Sequence, residues 1–456
     1  MAGSFRGGVH PHDAKTLTNT CAISPMPLPV EVVLPIRQHI GAPSKIIVEK
    51  GLQVLKGQVV AESGGFVSVP VHASVSGIVK AVEQRLTASG VMTPCVVIES
   101  DGRDAWLDGL DTPRDFSGFS PDQLRSFVRD SGIVGMGGAA FPTHVKLSPP
   151  ADKSIDTIIL NGVECEPFAT CDHRLMLEHP DRIAGGLSII MAILGCSRAF
   201  IGIERNKPDA IKVMKAAVKN TPGVRVVDLA VKYPQGGEKQ LIKAVAKRRV
   251  PAGGLPMDVG CVVQNVGTAV AIYDAVALNR PLIERVVTVT GPGVAKPVNL
   301  AARIGDSFAR LIEAAGGYTE RAAKLIMGGP MMGISQYMDD VPVVKGTSCI
   351  LVLDDDAVRI ESERPCISCA RCVDVCPMNL LPTEIAKNVE LEHWDTAREY
   401  GASDCIECGS CSYICPAKRR IVERIKFGKA KLSEIRAREQ AARKAAEEKA
   451  AAEKNR

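Results

Sequence analysis

The sequence predicts a multidomain chain of the α/β plus α+β class, and three observations carry that expectation. At 456 residues the chain exceeds what one hydrophobic core can hold, which suggests about three domains. Short β-branched runs broken by turn residues fill 44–99, and strands alternate with helices through 120–281. A short segment near the C-terminus concentrates cysteine. These shifts divide the chain into segments 1–115, 116–282, 283–355, 356–428 and a charged tail, 429–456.

In the first segment KIIVEKG, GQVVAES, GFVSVPVHA, SGIVKAVEQ and PCVVIES read as strands. Two patterns, V-x-x-G-x-x-V from Val54 to Val60 and A-x-x-x-G-x-V from Ala73 to Val79, resemble the halves of the barrel-sandwich fold of biotinyl and lipoyl domains. Such carriers expose a modified lysine at a hairpin tip. No lysine lies between Lys56 and Lys80, so the module is expected to be unmodified and structural.

The second segment reads as helix Pro121–Asp130, strand 156–160, helix 182–194, strand 198–203 and helix 208–219. Strand 225–231, helix 238–247, strand 261–264 and helix 267–278 follow, the pattern of a parallel sheet covered by helices. Within it Gly135-Met136-Gly137-Gly138-Ala139-Ala140 satisfies G-x-G-x-x-A, but it follows a helix and Pro142 closes it, so it is not a Rossmann loop. Its glycines still let backbone N–H groups approach an anion, which leaves a phosphate cradle of another architecture.

From Glu284 to Leu353 strands VVTVTG, KLIMGG and SCILVL flank a helix, FARLIEAAGG, capped by Gly305-Asp306-Ser307. Met331 and Met332 are expected to pack, because two soft ligands without a third do not make a metal site. His10 and His12 likewise lack a further ligand nearby and read as structural or exposed. The tail from Lys429 is built of Ala, Glu, Lys and Arg, with opposite charges four apart such as Glu434 and Arg438, and reads as a solvated helix or tether.

The cysteine segment carries the most specific signal. Cys366-x-x-Cys369-x-x-Cys372-x-x-x-Cys376-Pro377 recurs as Cys405-x-x-Cys408-x-x-Cys411-x-x-x-Cys415-Pro416. Each is the run that binds [4Fe–4S] clusters in two-cluster ferredoxins, where the fourth thiolate of one run serves the other cluster. One cluster is therefore expected on Cys366, Cys369, Cys372 and Cys415, and the other on Cys405, Cys408, Cys411 and Cys376. Zinc sites use two separated cysteine pairs and have no need of this spacing. Of 15 cysteines, the seven outside the runs show no disulfide-like spacing, which points to a reducing cytoplasmic compartment. A net charge of +5 does not call for nucleic acid; the opening MAGSFRGGVHPHDAK has no apolar core for a signal peptide, and the longest apolar stretch, 187–196, is far short of a transmembrane helix.

SGIVGMGGAAFPTHVKL, NGVECEPFATCDHR, YPQGGEKQL and VVQNVGTA occur in the order of the flavin-site segments of the NADH-oxidising flavoprotein subunit of respiratory complex I, and the second segment resembles its FMN domain. The resemblance implies that Gly135, Gly137 and Gly138 line the flavin and its phosphate, and that Lys146 supplies a fixed charge. Asn161, Glu164, Glu238, Asn265 and Thr268 are implied as further FMN-site residues. Phe141 is implied to stack on the nicotinamide of NADH and Glu166 to face the dinucleotide. Val134 and Met136 stand in place of arginines, Val163 of an aspartate and Gly237 of a glutamate, and no second phenylalanine follows Lys146. The third segment resembles the β-grasp domain that follows the flavin domain there.

The order barrel-sandwich, FMN domain, β-grasp and two-[4Fe–4S] ferredoxin-like helical domain, opened by Gly7-Gly8-Val9-His10-Pro11, resembles the RnfC family of the Rnf/Rsx electron transport complexes over nearly the full length. That resemblance implies a peripheral subunit on the cytoplasmic face of the cell membrane, an NADH:ferredoxin oxidoreductase component of an ion-translocating complex. Electrons from NADH would pass through FMN and two [4Fe–4S] clusters to ferredoxin or an Fe–S subunit among its membrane partners, or in reverse. The cluster cysteines are then the site, with no catalytic acid or base. The alternative is a flavin-free electron wire or assembly scaffold in the same complex.

Overall fold

The computed structural model describes residues 3–358 and 361–454. The chain divides into two units. One holds Pro11–Val250, Leu255–Arg359 and the residues up to Ser4; the other holds Phe5–His10, Pro251–Gly254 and the chain from 360 onward.

The first unit opens on two antiparallel sheets. One orders Glu31–Pro35, Met92–Ser100, Gly77–Leu86 and Gln53–Val54; the other orders Lys45–Ile46, Val59–Glu62 and Val71–His72. Val32, Leu34, Val60, Val79, Val96 and Ile98 are buried, as expected of β-branched strands whose alternate residues face a core. The flanking lysines are committed elsewhere. Lys56 is buried, paired with Asp104 and 4.4 Å from the Trp106 ring centroid, and Lys80 pairs with Glu31 at 2.7 Å.

A four-stranded parallel sheet follows, ordered Val224–Leu229, Ala199–Glu204, Thr157–Gly162 and Cys261–Asn265. Its two central strands read TIILNG and AFIGIE, apolar runs suited to a sheet covered on both faces. Helix Pro121–Asp130 starts at a capping box, with Ser120 accepting from the Gln123 N–H and proline at the first turn. Helix Pro180–Leu194 stops at Gly195 in the left-handed conformation. Helix Val266–Ala277 starts directly from strand Cys261–Asn265, its cap made by Asn265, whose Oδ1 accepts from the Gly267 and Thr268 N–H groups.

The third element of this unit is a six-stranded mixed sheet ordered Ile23–Pro25, Val298–Arg303, Glu284–Thr290, Cys349–Asp354, Ala322–Met327 and Ile334–Gln336. Helix Phe308–Ala314 begins where the sequence placed a cap, with Ser307 Oγ accepting from the Arg310 N–H, and Phe308 and Leu311 are fully buried. The edge strand Ile23–Pro25 comes from the N-terminal segment and pairs in parallel with Val298–Arg303, an exchange between distant segments that periodicity does not show. Behind it Thr18, Thr170, Thr288 and Asn299 form a buried network: Thr18 and Thr170 hydroxyls lie 2.7 Å apart, and Thr170 and Thr288 donate to Asn299 Oδ1 at 3.0 and 2.8 Å. Lys345 is fully buried, its Nζ donating to Pro70 O at 2.8 Å and Gly132 O at 2.7 Å, and burial pushes its pKa down to about 7.

The second unit is helical among its described residues. Helices Arg371–Asp374, Pro382–Glu390, Trp394–Glu399 and Ser410–Ile414 surround a core of Ile385, Val389, Ala397, Ile421 and Ile425. The closing helix, Ile421–Lys454, starts inside this core and runs on into the charged tail without a break. Glu434 pairs with Lys431 at 3.0 Å rather than with Arg438, and Arg443 pairs with Glu447 at 2.8 Å; such exposed pairs contribute roughly 0–1 kcal/mol each.

Candidate functional site

Two groups of residues stand out, one in each unit. In the first, the chain leaves helix Pro121–Asp130 and turns at Gly135–Phe141, closed by the Gly135 N–H donating to Phe141 O at 2.9 Å and by the bridge between Val134 and Pro142. Two buried side chains pin the turn at Met136. Thr268 Oγ1 accepts its N–H at 2.9 Å, and the Arg285 guanidinium donates to its carbonyl at 3.3 Å. The Met136 side chain is itself buried, so this departure from the complex I pattern anchors the turn. Gly137 and Gly138 are exposed, and among the described residues their N–H groups meet no acceptor. A Cβ on Gly137 would stand 2.5 Å from Asn265 Nδ2, whereas one on Gly138 would meet nothing within 4 Å. Open space bounded by unpartnered N–H groups fits an anionic, planar cofactor.

The other residues expected at a flavin site are, for the most part, already hydrogen-bonded within the chain. Asn161 Nδ2 donates to Gly236 O at 2.8 Å. Glu164, at φ +46°, accepts from the Asp172 N–H at 2.7 Å and the His173 N–H at 3.2 Å, at the start of helix Cys171–Glu178. Asn265 Nδ2 donates to Asp172 Oδ2 at 2.6 Å, and burial, reinforced by Glu164, pushes the Asp172 carboxyl well above the usual carboxylate range. Lys146 and Glu238 form a half-exposed ion pair at 2.6 Å, with Lys146 also 3.3 Å from Val263 O. Asn265 and Thr268 therefore build the scaffold, while the glycines and the Lys146–Glu238 pair remain open to solvent.

Glu166 is held differently. Tyr233 donates to its Oε1 at 3.3 Å and the Met331 N–H to its Oε2 at 3.2 Å, and burial pushes its pKa up to about 7. A Cβ on Gly329 would stand 2.2 Å from Oε2, so the loop Gly328–Gly333 closes over this carboxylate. Met332 is 47% exposed, and the expectation of simple packing at Met331 and Met332 gives way to a backbone role. The strand-to-helix segment around Glu166 is fixed by two buried ammonium groups. Lys15 Nζ donates to Glu166 O at 3.0 Å and Ala169 O at 2.6 Å, and Lys207 Nζ to Val163 O at 2.7 Å. Phe141 is half-buried beside the glycine turn. Sequence reasoning singled out none of Asp172, Tyr233, Arg285, Lys15 and Lys207. Asp172 and Tyr233 at least lie within the flavin-site segments, whereas the three cations come from distant parts of the chain that no local pattern marks.

In the second unit the two cysteine runs repeat one backbone. Ser368 and Glu407, Ala370 and Gly409, and Asn379 and Lys418 occupy matching places, and all six have left-handed φ between 54° and 76°. These turns fold each run around its own first three thiols, with Cys366 accepting from the Ser368 N–H at 3.5 Å and Cys405 from the Glu407 N–H at 3.4 Å. The fourth thiols cross over. Cys415 lines one concavity with Cys366, Cys369 and Cys372. Cys376 lies near Cys405, Cys408 and Cys411, close enough that its charge helps to raise the pKa of each. Burial is the larger cause there and pushes Cys405 up to about 11. The donor set, four sulfurs from two interleaved runs, fits an iron–sulfur cube twice. Cys366 and Cys369 are exposed, whereas Cys376, Cys408 and Cys411 are buried.

Residues 3–103 match the RnfC barrel sandwich hybrid domain, 128–274 the Nuo51 FMN-binding domain, 286–335 the SLBB domain and 357–416 the 4Fe-4S dicluster domain. The order defines an iron–sulfur flavoprotein of electron transport. The chain is 49% identical over 431 residues to the C subunit of the proton-translocating ferredoxin:NAD(+) oxidoreductase complex of Clostridium ljungdahlii, covering 94% of each. It is 46% identical over 430 residues to the C subunit of the Na(+)-translocating ferredoxin:NAD(+) oxidoreductase complex of Acetobacterium woodii, covering 94% of this chain and 97% of that one. The C subunit of the ion-translocating oxidoreductase complex of Rhodobacter capsulatus is 43% identical over 441 residues, covering 96% and 84%. The chain belongs to this family of complex C subunits. Among solved structures, an NAD+-reducing [NiFe]-hydrogenase in the H2-reduced state aligns over 67% of this chain and 62% of that one, at 19% identity and a TM-score of 0.46.

Proposed function

We propose that this chain is the NADH-facing subunit of an ion-translocating ferredoxin:NAD+ oxidoreductase complex, working at the cytoplasmic face of the membrane and exchanging electrons with ferredoxin or a partner Fe–S subunit. The observation that carries the reading is the pairing, in one chain, of crossed thiol runs with a turn in which the Gly137 and Gly138 N–H groups meet no acceptor among the described residues. The names of the relatives supply ferredoxin and NAD+ as reactants. No helix among the described residues is long and apolar enough to cross a membrane, and attachment through partner subunits is part of the proposal.

In this reading residues 1–115 form the barrel-sandwich domain, 116–282 the FMN domain, 283–355 the β-grasp domain, 356–428 the cluster domain and 429–456 a tail. When bound, FMN and the two [4Fe–4S] clusters convert between the two-electron steps of a nicotinamide and single-electron transfer. Gly135, Gly137 and Gly138 receive the flavin and its phosphate; Thr268 and Asn265 keep the turn in place, Asn161 ties its strand end to Gly236, and Glu164 holds the start of helix Cys171–Glu178. Lys146, paired with Glu238, offers a positive charge at the rim. Phe141 gives a flat apolar face for a nicotinamide. Glu166, with its pKa near neutrality, holds or releases a proton at Oε1 or Oε2 and accepts hydrogen bonds from a dinucleotide once the Met331 N–H is displaced. The eight thiolates ligate the clusters in the crossed arrangement.

Anaerobic purification followed by flavin extraction, iron and sulfide assay and titration with NADH tests the reading. One FMN, about eight irons per chain and bleaching by NADH are expected. Full iron with no flavin, in the chain and in its complex, would replace the reading with that of an electron wire.

A further inference from the structure

The opening glycines have no part in either site, yet their contacts place Phe5–His10 in the unit that carries the cysteine runs. The Gly8 N–H donates to Val375 O at 2.7 Å. Gly7, at φ +83°, lies so close to the next peptide that a Cβ on it would stand 2.8 Å from Cys376 O and 3.0 Å from Val375 O. Only glycine fits there without displacing the peptide that bears the Cys376 thiol. Cys376 is buried, and its Sγ accepts from the Leu380 N–H at 3.4 Å. The matching Ile414 carbonyl of the second run receives no such bond among the described residues. The other outlying segment of this unit, Pro251–Gly254, reaches the same neighbourhood: the Gly253 N–H donates to Asp404 Oδ1 at 2.7 Å, next to Cys405.

We infer that Phe5–His10 is a positioning segment for one of the two clusters, the one assigned to Cys376, Cys405, Cys408 and Cys411. The inference rests on the crossed assignment proposed above. By fixing the Val375–Cys376 peptide, the segment sets where the fourth thiolate points and keeps water from it. Hydrogen bonding and solvent exposure around a cluster's sulfurs govern its potential, so releasing this peptide acts on one cluster and leaves the other unchanged.

The test compares wild type with Gly7→Val and with a chain lacking residues 1–10, both prepared anaerobically. Cys405→Ala and Cys366→Ala identify which paramagnetic signal belongs to which cluster. Iron, sulfide and FMN are assayed, and each reduced signal is followed through a redox titration. In Gly7→Val the signal absent from Cys405→Ala should be lost or shifted in midpoint, with iron falling by up to about half, while the other signal and FMN stay at wild-type values. The truncated chain should show the same selectivity. A segment that merely stabilises the fold would lower the melting temperature and leave both midpoints alone. Unchanged midpoints in both variants, or loss of both signals together, overturns the inference. Wild type devoid of iron sinks the cluster assignment itself and the inference with it.

Discussion

Thr268→Val separates a scaffold residue from a cofactor contact. The Thr268 hydroxyl is fully buried and accepts the Met136 N–H at 2.9 Å; valine keeps the shape and removes the acceptor. A buried N–H left without a partner costs about 1–3 kcal/mol. The turn can recover this by swinging Met136 outward, which destroys the arrangement of Gly137 and Gly138. Flavin binding requires the ordered turn, so its affinity should fall by the population cost, roughly 5- to 150-fold at 1.4 kcal/mol per decade. Fluorescence titration of deflavinated protein with FMN measures this directly, with iron content as the control for the cysteine-bearing unit. Thr268→Ser, which retains the hydroxyl, should lie much closer to wild type. FMN affinity within twofold of wild type for Thr268→Val would refute the claim that this bond orders the turn.

Gly137→Val should abolish flavin retention with both clusters intact, since the first added carbon alone would stand 2.5 Å from Asn265 Nδ2; extracted flavin and iron per chain report it. Cys376→Ala should damage the cluster held by Cys405, Cys408 and Cys411, and Cys415→Ala the one held by Cys366, Cys369 and Cys372; paramagnetic resonance showing loss at the same-run cluster in both would reverse the assignment. Glu166 gives a pH dependence. Its folded pKa of about 7 exceeds the usual 4.5, so the folded state binds more protons between these values and loses stability as pH rises from about 4.5 to 7. Glu166→Gln should flatten that slope in the melting temperature of the first unit by an amount equivalent to about 1–3 kcal/mol; an unchanged slope would exclude Glu166 as its source.

The two cysteine runs were legible because their spacing is local: three thiols within seven residues, with a fourth before proline, need no distant segment to be recognised. Most helices and strands of 120–281 were legible for the same reason, helix Pro121–Asp130 among them, whereas helix Cys171–Glu178 was not expected. Other features depended on residues far apart in the chain. Strand Ile23–Pro25 crosses into the C-terminal sheet, and the Lys345 ammonium bonds Pro70 and Gly132 together. Periodicity contains neither, because pairing and burial are decided by what the folded chain brings close.

The sequence alone carries the cluster chemistry, because a repeated ligand run is a short-range pattern of thiols, whereas the flavin and the order of the modules came from the resemblance of whole segments to known families. Packing separates the expected residues that serve as scaffold from those that stay open. Asn265 and Thr268 spend their polar groups on a helix cap, Asp172 and Met136, while Glu166 is closed over by a loop more than 150 residues away. The physical reason is that a buried polar group must take the partner that packing supplies, and that partner is set by three-dimensional proximity rather than by spacing along the chain.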